Sequence, residues 1–432
     1  MSTPTTTPPP SGKGRTDVEA RAGFAADAKG PVSLGAYVQG YRDKVRSGDV
    51  GSLPAILGLL ALIIVFTIAR PSTFPTALNF ANLITQAGSI CVLAMGIGFV
   101  LLLGHIDLSA GVIGGVGAGS MGMLILKEGF PWYVAVLAAL LIGVIMGLIT
   151  GWLVSTIGIP SFVVTLAFFL AWQGVLLWII GTGGTVPINE PVIVGIANNN
   201  VPVVVGWVLV VLSIAAYAGV SLAVWQRRRS RNLVSPPLAV IVLRIAFIAA
   251  LLIAATAVLS VNRARVATIQ LEGIPWVAPL VAVLLIIWTF VQNRTAFGRY
   301  VYAVGGNAEA ARRAGIRVGR ITVWCFVISS GMAVISGIIA ASRLNSVTPD
   351  AGAGNTLLYA VAAAVIGGTS LFGGKGKARD AIIGGLVIAV INNGLGLLGF
   401  EAKVNYLVTG LVLLVAASVD AISRRRRSSA GR

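Results

Sequence analysis

The sequence predicts an all-α, polytopic membrane protein, and three observations predict it. Of the 432 residues, 56% are hydrophobic and only 11% are charged, against about 25% charged residues in a soluble domain. After Leu53 the chain falls into apolar windows of a length that spans roughly 30 Å of hydrocarbon at about 1.5 Å per residue. Between those windows the basic residues collect in alternate connections. A soluble fold with several buried helices does not match this composition. A β-barrel fits no better, because strict alternation is absent and the apolar runs are about twice too long.

The formal charge is +18, from 32 basic and 14 acidic residues. In a soluble chain that excess would point to nucleic acid. Here it lies between spans, where the positive-inside rule accounts for it, so no nucleic-acid partner is expected. Cys91 and Cys325 both sit in apolar segments, with no spacing that indicates a disulfide framework or a metal site. No signal peptide is expected, since Met1–Pro10 is polar and the first apolar run begins after residue 53.

Taken in order, residues 1–50 read as a disordered, cytoplasmic N-terminal extension, rich in Ser, Thr and Pro and then in Gly, Ala and basic residues. Within it, Leu34, Tyr37, Val38, Tyr41 and Val45 have the spacing of a short interfacial helix, with a plain linker the equal alternative. The transmembrane domain is expected over 54–422, in about 12 hydrophobic segments. The first five are Pro54–Ala69, Leu83–Leu103, Leu108–Leu126, Trp132–Val154 and Phe162–Ile180. A polar stretch, Gly181–Asn200, precedes Val203–Trp225 and Leu238–Leu259, which flank the Arg227–Arg231 cluster. Trp276–Val291, Thr322–Ala341, Thr356–Phe372, Ala381–Leu398 and Tyr406–Val419 complete the set, with the tenth broken near Gly367 and Gly368. Residues 423–432 form a basic tail. With twelve spans both termini share one side. That side carries Arg42 to Arg46, Arg227–Arg231, Arg294 to Arg320, Lys375 to Arg379 and Arg424–Arg427, so it is the cytoplasm. Arg263 and Arg265 are the exception on the other side, partly offset by Glu272.

Two short stretches interrupt the apolar pattern in similar ways. Leu103 to Gly111 contains the one His of the chain, His105, together with Gly104, Asp107 and Ser109. Ile366 to Gly374 aligns with it, Gly104 on Gly367, Leu108 on Leu371 and Gly111 on Gly374, so the two halves read as weakly repeated. Interrupted helices at corresponding places point to a transport path. A lone carboxylate in hydrocarbon needs a partner, water or a helix break. Asp107 therefore reads as a cap accepting an N–H from Ser109 or Ala110, with solute contact and proton coupling as the alternatives. The charge-derived topology places this break toward the cytoplasmic end. His105 reads as structural, since no Cys/His cluster accompanies it. Both stretches are structural hinges on this reading, the second through Gly367, Gly368 and Gly374.

The connection Phe297–Ile316 has internal order. Asn307 can cap a short helix, Glu309 falls in its first turn, Arg312 and Arg313 lie late, and Gly315 stops it. It is either a solvated connection or a docking element for a cytoplasmic partner. The chain contains no phosphate-cradling GxxxxGK[ST] pattern, so no nucleotide hydrolysis and no catalytic residue is assigned to it.

Gly104–Gly111, the run from Thr295 through Gly305-Gly306-Asn307-Ala308-Glu309 to Gly315-Ile316, and Ala364 through Gly374-Lys375-Gly376 together resemble the permease subunits of bacterial monosaccharide ABC importers. That group includes ribose, xylose, arabinose and galactose systems, and the resemblance covers about 54–422. The extra hydrophobic pair around Arg227–Arg231 looks most like the xylose-type members, giving ten core helices plus an inserted pair. The resemblance implies a multi-pass subunit of the bacterial inner membrane, paired with a second permease copy. It also implies a cytoplasmic ATPase that holds ATP and Mg, and an extracytoplasmic sugar-binding protein. The permease itself would bind no cofactor and work by alternating access, with Asn307–Arg313 as its ATPase-coupling loop. The group usually reads Gly-Gly-Ile-Asp-Leu-Ser, and His105 stands where the second Gly is expected.

The sugar path is sought among polar or aromatic residues within spans, namely Trp172, Gln173, Asn392 and Asn393. Interhelical packing is the alternative for each. An ion-coupled secondary transporter would also have twelve spans, but would show coupling charges in several of them, where this chain has essentially Asp107 and Arg244. A lipid-handling scaffold is the non-transport alternative.

Overall fold

The structure is a computed structural model that describes Gly35, Gln39, Arg42 and residues 51–429, apart from 182–183 and 265–269. The expected extension over 1–50 and its interfacial helix therefore lie almost wholly outside the described residues, as does Arg265. The described chain is α-helical apart from four two-residue strands. In order the helices are α1 (Leu53–Ala69), α2 (Ala77–Leu102), α3 (Ala110–Leu126), α4 (Trp132–Trp152), α5 (Ser161–Ile180), α6 (Pro191–Asn198), α7 (Val203–Ser230) and α8 (Leu238–Leu259). There follow α9 (Val277–Arg294), α10 (Ala296–Gly306), α11 (Ala308–Arg313), α12 (Val318–Leu344), α13 (Asn355–Gly367), α14 (Ala378–Leu397) and α15 (Ala402–Ser429). Among the described residues eight helices are long and apolar enough to cross a membrane: α2, α4 with its terminal turn, α5, α7, α8, α9, α12 and α14. Shorter apolar helices are α1, α3, α13 and the stretch Ala402–Val415 of α15.

Local chemistry sets the boundaries. Thr76 caps α2, its hydroxyl accepting from Asn79 N at 3.2 Å. A π-helical turn, Leu153–Ile157, widens the end of α4, and Gly158 then reverses the chain at a φ of +81° before Pro160 leads into α5. The tenth expected span is shorter than the hydropathy suggests. Helix α13 stops at Gly367 because Gly368 adopts a φ of +118°, and residues 369–377 are not helical. The last helix in turn runs through the basic cluster to Ser429.

Two compact units are present. Residues 207–255 form one, in which the Trp225 indole donates to Pro236 O at 3.1 Å and the Arg229 guanidinium lies 5.2 Å from the Trp225 ring. Residues 47–206 with 256–432 form the other and carry everything described below. Its centre is α3, where every residue from Ala110 to Gly122 is buried, packed among α2, α4, α5 and α12. Small residues make that burial workable, since backbones approach closely where side chains are absent. Outward faces of α4 and α5 instead present Leu137, Leu141, Leu170 and Trp178, all exposed, as helices facing lipid do. Helix α12 runs the length of this core. The Ser336 hydroxyl donates to Ser89 O on α2 at 2.8 Å, and the Trp288 indole of α9 donates to Met332 Sδ at 3.1 Å. At the Leu344 end of α12, Ser342 Oγ donates to Val194 O at 3.0 Å and accepts from Ala197 N at 2.9 Å, which seats α6. Two antiparallel strand pairs close the same end: β1 (Val186–Pro187) with β4 (Ser346–Val347), and β2 (Asn200–Val201) with β3 (Ile274–Pro275).

Candidate functional site

Helix α2 ends at Leu102, and Gly104 turns the chain at a φ of +77°. The backbone then runs back toward the core. Asp107 is fully buried there. Its Oδ1 accepts from Ser109 N at 3.1 Å and Ser109 Oγ at 2.7 Å, and its Oδ2 accepts from Ser329 Oγ at 2.9 Å. Helix α5 braces the same turn: Ile106 N donates to Ser161 Oγ at 3.3 Å, and Thr165 Oγ1 lies 3.2 Å from Ile106 O. Ser329 is eleven residues beyond Val318 in a 27-residue helix, so Asp107 lies about 16 Å along α12 from that end. The charge pattern puts this break toward the cytoplasmic end, yet Asp107 lies near the middle of α12, because its carboxylate pairs with a serine 222 positions away. With both oxygens engaged, Asp107 is a fastening. His105 is half-buried, its ring 6.1 Å from that of Phe326.

A second re-entry comes from the opposite end. After Leu344, residues 345–354 fold back so that α13 begins beside the start of α3. A Cβ on Gly111 would strike Gly352 O, and a Cβ on Gly352 would strike Gly111 O. Nearby, a Cβ on Gly337 would strike Gly114 O, and a Cβ on Gly114 would strike Ala333 O. The two re-entries thus meet at a crossing of bare backbone. Beside it lies a cavity of about 230 Å³, lined on one side by Gly115, Ala333 and Gly337 and on the other by Thr348, Asp350 and Thr356.

At the Val318 end of α12 the two aligned motifs touch. Gly374 N donates to Leu102 O at 2.8 Å. Gly305, on α10, packs against the same two groups with no room for a Cβ. The Tyr302 hydroxyl donates to Gly376 O at 2.7 Å, and Ala378 N donates to Gln292 Oε1 at 2.9 Å. Burial and, behind it, the charge of Asp380 push the Tyr302 phenol above its ordinary pKa, which keeps it a donor. The α10–α11 segment is therefore joined to the ends of α2, α13 and α14. Within it, Asn307 Oδ1 accepts from Ala310 N at 2.9 Å, and Gly315 reverses the chain at a φ of +82°. Glu309 bridges Arg312 at 2.7 Å and Arg313 at 3.3 Å, all three exposed, while Ala311 is buried in the cluster that holds α12.

The four residues named for a path are not gathered in one place. Trp172 stacks on Phe168 at 4.9 Å, and Gln173 donates to Pro349 O at 2.6 Å, both from α5. Asn392 and Asn393 lie on α14, which packs on α1, α2, α9 and α13. Neither pair lines the cavity at the crossing. Ser329, Gln292 and Gly352 escaped the sequence reading. The first two are single polar residues in apolar runs. The third sits in a loop that reads as ordinary connection. Among the described residues no group of three or more His, Cys, Asp or Glu could hold a metal ion.

Comparison with known proteins fits this architecture. The family described as branched-chain amino acid transport system / permease component matches residues 79–417. The xylose transport system permease protein of Escherichia coli (strain K12) is 33% identical over 395 residues, covering 91% of this chain and 98% of that protein. Its namesake from Haemophilus influenzae is 32% identical, covering 89% of this chain and 99% of that protein. The ribose import permease protein of Escherichia coli (strain K12) is 31% identical, covering 85% of this chain and 92% of that protein. No solved structure matches. A polytopic helical core matched by this family over most of its length makes the chain a member of the branched-chain amino acid transport system permease component family.

Proposed function

We propose that the chain is the membrane permease subunit of an ATP-driven importer for a monosaccharide, a pentose such as xylose. The observation that carries the reading is the junction of Leu102, Gly305 and Gly374. Through it a capped, exposed, charge-ordered helix, α11, is coupled to the Val318 end of the re-entrant core. Near-full-length similarity to xylose and ribose permeases supplies the solute class. The chain itself breaks no covalent bond. ATP and Mg are held by a separate cytoplasmic ATPase that docks on Asn307, Glu309, Arg312 and Arg313, with Gly315 ending the docking element. A sugar-binding protein delivers solute to the opposite face, and a second permease copy completes the membrane assembly.

On this reading the twelve apolar helices all cross or enter the bacterial cytoplasmic membrane, ten in a core of two repeated halves and two in the inserted pair. Both termini and the α10–α11 end face the cytoplasm, where Arg294, Arg299, Arg317 and Arg320 also lie. Gly104 and Gly367 to Gly374 turn the chain at that end, and Asp107 anchors the first turn in the core. ATP-driven closure of the ATPase pair moves α11 and, through the junction, repacks the crossing at Gly111 and Gly352 between outward-open and inward-open arrangements. Trp172 Nε1, Gln173 Oε1 and Asn393 Oδ1 are buried without partners, which supports them, with the neighbouring Asn392, as groups a passing hydroxyl meets. Ion coupling is disfavoured. Asp107 and Asp380 are the buried carboxylates among the described residues, and both accept hydrogen bonds within the chain.

The test is reconstitution with ATPase and binding protein. Radiolabelled xylose should accumulate only with ATP, and unlabelled xylose should compete better than ribose, galactose or inositol. ATP-independent uptake driven by an ion gradient would overturn the reading. A Glu309→Ala/Arg312→Ala double variant should recover less ATPase on co-purification while keeping the permease folded; undiminished recovery would remove α11 from the interface.

A further inference from the structure

Arg263, with Arg265, breaks the charge rule that orders the basic clusters of the chain. The fold gives it a place at the end of the molecule opposite α10–α11. The side chain is 7% exposed, and its two terminal nitrogens donate to Leu259 O and Gly273 O. It forms one wall of a polar cavity of about 370 Å³ between the first turns of α2, the end of α6 with β2, and the end of α12. Asn82 and Gln86 line the cavity from α2, Asn200 from β2 and Arg343 from α12. Among the described residues, none of these four side chains hydrogen-bonds another group of the chain, and no carboxylate lines the cavity.

Four uncommitted polar side chains around one space are a binding inventory, and its composition selects the ligand. A guanidinium offers donors only, whereas each carboxamide offers two donors and an acceptor. An anion would use donors alone and leave three carboxamide oxygens without a role. A hydroxyl both donates and accepts, so vicinal hydroxyls can engage carboxamides and guanidinium together. Arg263, fixed by two backbone carbonyls and partly offset by Glu272, sets with Arg343 a positive potential that turns cations away.

We propose that this cavity is a resting site for a neutral, hydroxyl-rich small solute on the outer face of the permease, ahead of the crossing at Gly111 and Gly352. That the solute is a monosaccharide rests on the function proposed above. The site serves a sugar released from its carrier before the core opens to it.

The experiment labels a cysteine at the cavity wall in the full transporter. Cys91 and Cys325 are buried, so a Leu78→Cys variant in membrane vesicles gives a thiol reactive to a membrane-impermeant maleimide. Labelling should slow by about tenfold at ten times the half-protecting concentration of xylose or xylitol, and sodium acetate should not protect. Adding Gln86→Leu and Arg343→Met should abolish protection. Leu271→Cys, at the same wall, is the second reporter if Leu78→Cys folds poorly. Protection by acetate equal to that by xylitol would make the cavity an anion site and overturn the proposal. Vesicles that import xylose with ATP but show no polyol protection would overturn the site alone. Protection by xylitol without ATP-driven xylose import would uphold the site and overturn the pentose reading.

Discussion

Leu102 and Leu344 each end a long helix, of 26 and 27 residues, and in each case the chain turns back to start a shorter helix beside the middle of the core. The first turn, 103–109, is fastened by side chains. Asp107 accepts three hydrogen bonds, and Ser161 and Thr165 hold Ile106. The second turn, 345–354, is fastened through backbone. Gly352 abuts Gly111, Gln173 reaches Pro349 O, and the carboxylate of Asp350 is exposed. A buried carboxylate is costly to unpair, whereas a backbone contact between glycines slides without leaving a charge behind. The 345–354 turn is thus the half suited to move, and 103–109 the half suited to stay.

Replacing Gly352 by Val attacks the point both turns share and carries the largest expected effect. The new side chain would meet Gly111 O, at a φ of +77° that a β-branched residue rarely adopts. Strain and overpacking together should cost about 3 kcal/mol or more, read as lost membrane yield. Normal yield and melting temperature would mean the crossing is loose. The carboxylates come next. Asp107→Ala leaves two hydroxyls and an N–H without their acceptor and should cost about 3 kcal/mol, with Asp107→Asn recovering part of it. Asp350→Ala should change stability by less than about 0.5 kcal/mol. Thermal unfolding in detergent compares the pair, and equal losses would erase the contrast between fastened and free turns.

Much of this was legible in the sequence. Hydropathy marks the apolar helices because crossing hydrocarbon demands length and composition that little else imitates. The capping pattern of Asn307, Glu309 and Gly315 is local and reads directly. Depth is not local. Gly104 to Asp107 announces a break, but how far it enters the core depends on Ser329, a partner 222 residues away. The alignment of Gly104–Gly111 with Gly367–Gly374 found two stretches that touch. The stretch that mirrors the first in geometry is 345–354, whose Pro, Asp and Gly content is that of any surface loop. Its contacts with α3 and α5 and its pairing with β1 distinguish it.

Gln173 probes how firmly the movable turn is held. Its amide donates to Pro349 O at 2.6 Å while its own Oε1 is buried without a partner. Gln173→Leu removes one bond and one unsatisfied acceptor, so the net loss should be about 1 kcal/mol or less. If 345–354 gates the core, loosening it should raise ATP hydrolysis uncoupled from solute uptake in reconstituted vesicles. A variant with unchanged coupling would leave the turn a static cap.

The smallest stability change is expected at the far end of the same linkage. Glu309→Gln removes exposed ion pairs to Arg312 and Arg313, worth less than about 0.5 kcal/mol in water, and Asn307 still caps the helix. Melting should therefore be unaltered while ATPase binding weakens, because the order of charges on α11 is what a docking partner meets. Such a split would separate the element that receives the force from the turns that respond to it. If stability fell as far as in Asp107→Ala, α11 would instead belong to the fastened half, and the distinction between the two turns would have to be redrawn around the junction at Gly305.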